Sequence, residues 1–125
     1  MRLSARDPDA VPTAAELAAC VADVQSVRCA ELAEWLATGR ACTILDVRTE
    51  GEFFSHRIPG ATLVPLHELV ERIDEVLALP GPLVVHCEHG IRSLDASVYL
   101  VWQGRTDVFN VVEGIAAWRG PTEHG

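Results

Sequence analysis

Apolar runs and amphipathic stretches alternate along this chain from Val24 onward. DVQSV (23–27) predicts a short strand. CAELAEWLATG (29–39) predicts a helix, with Leu32, Trp35 and Leu36 at helical spacing and Gly39 as its stop. ACTILDV (41–47) is a continuous apolar strand, followed by a short acidic helix in TEGEFFSH (49–56) that IPGA closes. After a brief strand in TLV (62–64), LHELVERIDEVLAL (66–79) predicts one amphipathic helix, with Leu66, Leu69, Val70, Ile73, Val76 and Leu77 on its apolar face. PGP breaks it; LVVH (83–86) is a strand, SLDASVYLVWQG (93–104) a helix stopped by Gly104, DVFNV (107–111) a strand, and GIAAWRG a final helical turn or two. The strands are continuous apolar runs instead of alternating ones, so both faces of the sheet are covered. A mainly parallel sheet with helices on each side follows, an α/β sandwich. In such sheets ligands bind beyond the carboxyl ends of the strands, which singles out the loops after Val47 and after His86.

Composition narrows the function. The 125 residues fit one domain, and a net charge of −8 speaks against nucleic acid and anionic membrane surfaces as partners. All ten basic side chains are arginine, so Schiff-base chemistry is excluded. The four cysteines, at 20, 29, 42 and 87, include no C-x-x-C pair, and no metal site is expected. No apolar run approaches the ~18 residues of a membrane span, and the first residues carry no h-region of a signal peptide, so a cytoplasmic protein with reduced thiols is expected. Residues 1–23 read as a partly helical extension: a loose lead-in over 1–12, then TAAELAAC, whose Thr13 and Glu16 form a capping box. That short helix is expected to lie frayed on the domain surface. The domain proper is expected over 24–120, with a tail at 121–125.

The loop after His86 carries the candidate chemistry. In C-E-H-G-I-R, Cys87 to Arg92, a strand turns sharply into a helix, which Ser93 suits as N-cap. Such a turn points successive N–H groups inward as an anion nest, and the helix N-terminus adds partial positive charge. Gly90 supplies the left-handed backbone that so tight a turn demands, and Arg92 a permanent cation. These features favour thiolate over thiol at Cys87. Glu88 and Asp95 oppose that shift if they face the sulfur, and they are expected to point outward. An inert core cysteine is the competing reading, and it leaves the glycine, arginine and serine without a purpose. Cys20, Cys29 and Cys42 have no cationic loop and read as packing residues, although a resolving thiol among them stays open. Trp35, Trp102 and Trp118 read as core or helix-packing residues.

At these residues the chain resembles the single-domain rhodanese (thiosulfate sulfurtransferase-like) family. CEHGIRS after LVVH is similar to that family's active-site loop. ILDVRTEGEFFSHRIPGATLVP resembles its opening signature and VFNVVEGIAAW its closing one, together spanning roughly residues 24 to 120. Two positions depart from the pattern. Arg57 stands where members often have histidine, and the closing glycine pair is reduced to Glu113-Gly114. The resemblance implies a rhodanese-like three-layer sandwich, a parallel five-stranded sheet with helices on both faces. It implies that Cys87 accepts a sulfane sulfur as a persulfide from thiosulfate, polysulfide or another persulfide, then hands it to a thiol or cyanide acceptor or to a sulfur-relay protein. No cofactor is implied. Substrate contacts fall to the loop residues Glu88, His89, Gly90, Ile91 and Arg92. Asp46 and Arg48 read first as structural, Arg48 holding carboxylates such as Glu52, with donor binding by Arg48 as a lesser role. His86 is expected to be buried and to point away from Cys87. The rival readings are a non-catalytic rhodanese-like binding module and a phosphatase or arsenate reductase, whose loop has five residues between Cys and Arg. Here four intervene.

Overall fold

The computed structural model describes residues 10–125. Five parallel strands form one sheet: β1 (Gln25–Val27), β2 (Thr43–Asp46), β3 (Thr62–Leu63), β4 (Leu83–His86) and β5 (Val108–Val111), in the spatial order β1-β5-β4-β2-β3. The most apolar run, LVVH, takes the centre as β4, where all four residues are buried. Its register sets Asp46 of β2 beside His86 and Asn110 of β5 beside Val85. The carboxyl ends of the three inner strands therefore share one rim.

Side chains alternate across this sheet, and they split the interior in two. On one face Leu83, Val85 and Cys87 pack with Leu45, Leu69, Ile73, Val76, Ala96 and Leu100. On the other Val84 packs with Val27, Leu32, Ile44, Ile58, Val111 and Ile115. Helices α4 (Ile73–Leu77) and α5 (Ile91–Trp102) cover the first face, and α2 (Cys29–Ala37) covers the second. The three-layer α/β sandwich expected from the continuous apolar runs is the architecture found. The acidic segment forms α3 (Glu50–Ser55), its start fixed by a Thr49–Glu52 capping box.

Three expectations need correction. Residues 66–79 are not one helix: Leu66–Glu68 is a 3-10 turn, and only Ile73–Leu77 is α-helical. Pro65 opens the segment with an i,i+3 bond from Glu68 N–H, and Leu66 and Leu69 stand three residues apart. That spacing suits 3-10 geometry, in which i and i+3 eclipse. At the far end the Arg105 guanidinium donates to the carbonyls of Val76, Leu77 and Leu79 and closes the helix. The second correction is at α5, which begins at Ile91 with Gly90 as its N-cap, so Ser93 lies inside the first turn. Third, α1 (Ala14–Asp23) is not frayed on the surface. Its predicted capping box is closed, and Cys20 packs against Val98 and Trp102 of α5. The lead-in expected over 1–12 falls for residues 1–9 outside the described residues. Arg57, the departure in the opening signature, pairs with Glu123 and joins it through an isolated antiparallel bridge.

Candidate active site

The loop Cys87–Arg92 curls from the end of β4 into α5, and Cys87 sits at its base with 1% of its surface exposed. Its Sγ accepts hydrogen bonds from the backbone N–H of Gly90 at 3.1 Å and of Ser93 at 3.3 Å. The Ser93 amide is one of the donors that a helix's first turn leaves unpaired. Here the sulfur takes the place of a capping oxygen. The thiol also lies 3.4 Å from Ser93 Oγ, whose hydroxyl donates to Asn110 Oδ1 at 2.5 Å. Asn110 Nδ2 in turn donates to Gly90 O, closing a buried ring of polar contacts around the sulfur. Burial alone would raise the Cys87 pKa. The Ser93 hydroxyl and the amides of Ser93, His89 and Gly90 outweigh it and hold the thiol below its ordinary value.

The amides face the sulfur because the loop's carbonyls are engaged elsewhere. A 3-10 turn at Ile115–Ala117 offers the Ile115 N–H to Cys87 O at 2.9 Å and the Ala116 N–H to Glu88 O at 3.0 Å. This approach requires glycine at 114: its φ is +71°, and a Cβ there would lie 2.1 Å from Glu88 O. Gly90 meets the same demand from the other side, with φ +90° and a Cβ position 2.3 Å from Val112 O. The residue that replaces the other closing glycine has work of its own. Glu113 Oε1 accepts the Cys29 N–H at 2.6 Å at the start of α2, and Oε2 pairs with Arg28.

The two arginines are placed differently from expectation. Arg48 is fully buried, its guanidinium bound to both Asp46 oxygens, to His56 O at 2.7 Å and to Glu88 at 3.4 Å. It is a scaffold residue of the rim, and the carboxylates it holds are Asp46 and Glu88, not Glu52. Glu52 belongs to Arg92, which binds it bidentately at 2.7 and 2.9 Å. That guanidinium, with help from the Thr49 amide, brings the Glu52 pKa down to about 2 against burial. Glu88 was expected to point outward; it turns sideways to Arg48 instead, while Asp95 is exposed as expected. His89 is exposed, and Ile91 stands 74% exposed at the outer rim. His86 is buried with its side chain on the sheet face opposite Cys87. Burial lowers its pKa against the pull of Asp46, 3.5 Å from Nε2, so the ring is neutral at neutral pH.

All four cysteines are thiols. Burial, then the Glu113 carboxylate, pushes Cys29 up to about 11, and burial raises Cys42 too, whereas Cys87 is held below its ordinary value. Among the described residues no cluster of three or more His, Cys, Asp or Glu could hold a metal. No helix among them is long and apolar enough to cross a membrane. Sequence reasoning gave Ser93 the wrong task and missed Asn110 and the Glu52–Arg92 pair. For Asn110 a signal existed, since an amide inside the apolar run VFNVV must find a buried partner.

A buried sulfur enclosed by inward N–H groups at a helix start is placed to hold negative charge on that atom or on one bonded to it. The same arrangement of chain is found in known proteins. Thiosulfate sulfurtransferase GlpE of Pseudomonas syringae is 39% identical over 80 residues, covering 64% of this chain and 74% of that one. A protein of Allochromatium vinosum named sulfurtransferase is 33% identical over 95 residues, 76% of this chain and 88% of its own. The crystal structure of a rhodanese-like domain protein from Staphylococcus aureus superposes with a TM-score of 0.71 at 28% identity, over 82% of this chain and 99% of that one. The family model of the rhodanese-like domain matches residues 29–121, and the chain belongs to that family.

Proposed function

We propose that the protein is a sulfurtransferase that carries a sulfane sulfur on Cys87. One observation supports this above the rest: the Cys87 sulfur lies buried with the Gly90 and Ser93 N–H groups aimed at it. The Cys87 thiolate attacks the outer sulfur of a donor such as thiosulfate, a polysulfide or a persulfide. A bond forms between the two sulfurs, the donor's S–S bond breaks, and its electron pair leaves with the departing group, sulfite when the donor is thiosulfate. Cys87 is then a persulfide anion whose charge the loop amides hold. An acceptor thiolate or cyanide attacks the outer sulfur next, and the Cys87 thiolate leaves unchanged. The cycle is a double displacement without net oxidation and requires no metal or organic cofactor. Glu88, His89, Gly90, Ile91 and Arg92 form the surface that donor and acceptor meet, with Arg48 acting through Glu88. A reducing, cytoplasmic setting and a sulfur-relay protein as acceptor fit the same reading.

Intact mass after incubation with thiosulfate or polysulfide, for the wild type and Cys87→Ser, tests the proposal. The expected result is one added sulfur atom on the wild type alone, removed by cyanide as thiocyanate. Absence of that adduct with every donor, including a loaded protein persulfide, would leave the fold as a binding module and overturn the proposal.

A further inference from the structure

Both arginines of the rim are already matched by carboxylates. Arg48 is shared between Asp46 and Glu88, and Arg92 gives both guanidinium arms to Glu52. Two cations thus face three carboxylates, and the Cys87 thiolate adds a further negative charge. A dianionic donor entering this mouth must either displace Glu52 from Arg92 or bind against a net negative rim. Beside Arg92 there is also room that an inorganic donor would leave empty. A cavity of about 300 Å³ opens between the ends of β2 and β3, with Val47, Pro65 and Leu66 as apolar walls and Arg48, whose charge Asp46 and Glu88 already match, Thr49, His67 and Arg92 completing its lining. It suits a compact organic group whose reactive end reaches toward the loop.

We propose that Glu52 is a specificity-determining residue: by holding Arg92 in a bidentate pair beside an apolar cavity, it selects against dianionic donors and for singly charged organic sulfane-sulfur donors. The inference rests on the sulfurtransferase reading of Cys87 and names the donor class for that site. Glu52 does not reach the sulfur itself; it acts through Arg92.

Its test is Glu52→Gln. Glutamine can still complete the capping box with Thr49, so α3 keeps its start and only the charge is lost. Steady-state transfer to cyanide is measured with thiosulfate, a dianion, and with benzenethiosulfonate, a monoanion that donates the same kind of sulfur. Releasing one positive charge attracts a dianion with twice the free energy it offers a monoanion. The expected result is therefore a fall in KM of about tenfold for thiosulfate and about threefold for the thiosulfonate, with kcat nearly unchanged for both. The wild type's preference for the thiosulfonate narrows accordingly. An equal change for both donors, or a raised thiosulfate KM, would make Glu52 a loop support only and overturn the inference. If neither donor loads Cys87 in the wild type, the mass experiment fails as well, and the sulfurtransferase reading falls before this one.

Discussion

Removing the hydroxyl of Ser93 deprives two buried groups of a partner at once: the Cys87 sulfur at 3.4 Å and the Asn110 carbonyl oxygen at 2.5 Å. The first loss has a definite sign. Burial raises the Cys87 pKa, and the Ser93 side chain is the first of the groups that bring it below the ordinary value. The hydroxyl has one proton, given to Asn110 while Cys87 is a thiol and free to turn to the sulfur once Cys87 ionises; Ser93→Ala removes that donor while the burial stays, so the pKa rises and less thiolate is present at any given pH. One hydrogen bond to a charged group is worth about 1.5 kcal/mol or somewhat more, or roughly one pKa unit. The thiolate absorbance titration of Ser93→Ala, taken as a difference from Cys87→Ser to remove the other thiols, is expected to move up by about one unit. An unmoved midpoint would assign the lowered pKa to the backbone amides alone. The second loss, an unsatisfied Asn110, costs about 1–3 kcal/mol of stability and appears separately in the melting temperature. None of this is legible in CEHGIRS, where a serine just before a helical run reads as a cap. Its true place, with its amide on the sulfur and its hydroxyl on β5, depends on a strand that lies 17 residues further along.

At the scale of elements, the loop takes its shape from the 3-10 turn at Ile115–Ala117, whose amides hold the Cys87 and Glu88 carbonyls. Gly114→Ala tests that clamp. The substitution puts a Cβ at a φ of +71° and 2.1 Å from Glu88 O, so the turn and the loop must part. At φ +71° and ψ 178° the backbone lies in a region essentially reserved for glycine, which costs another residue about 1–3 kcal/mol before the clash is counted. A melting temperature lowered by several degrees is expected, with kcat/KM for sulfur transfer reduced by about tenfold or more as the amides lose their aim. Wild-type transfer in a destabilised variant would show that the loop holds its shape without the clamp. Local signals served the elements unevenly. The capping box at Thr13 was readable, because its hydrogen bonds run between residues three apart; the box at Thr49 carries the same signal, and the sequence reading passed over it. The break inside 66–79 was not, because the apolar spacing Leu66, Leu69, Ile73, Val76 fits a helix and a string of tight turns equally well, and Arg105 closes the end from 26 to 29 residues away.

Across the whole molecule, the parallel sheet was legible because the three inner strands β2, β4 and β5 carry runs of consecutive buried residues instead of alternating ones. The charge pattern of the mouth was not, because Arg92 and Glu52 lie 40 residues apart and meet only once β2 and β4 pair. The difference matters for the proposed reaction. A lone Arg92 at the loop would attract thiosulfate, and added salt would then slow transfer by screening the attraction. With Arg92 neutralised by Glu52, Arg48 by Asp46 and Glu88, and a net charge of −8 on the chain, the long-range force on a dianion is repulsive. Screening then helps the donor in. In the wild type, kcat/KM for thiosulfate is expected to rise about two- to fivefold as ionic strength goes from about 0.02 to about 0.2 M, over which the screening length shortens from about 20 Å to under 10 Å. The rise should be smaller for benzenethiosulfonate, which carries half the charge. A fall with salt for thiosulfate would mean that the mouth presents net positive charge to the donor despite its carboxylates, with Arg92 leaving Glu52 whenever an anion approaches.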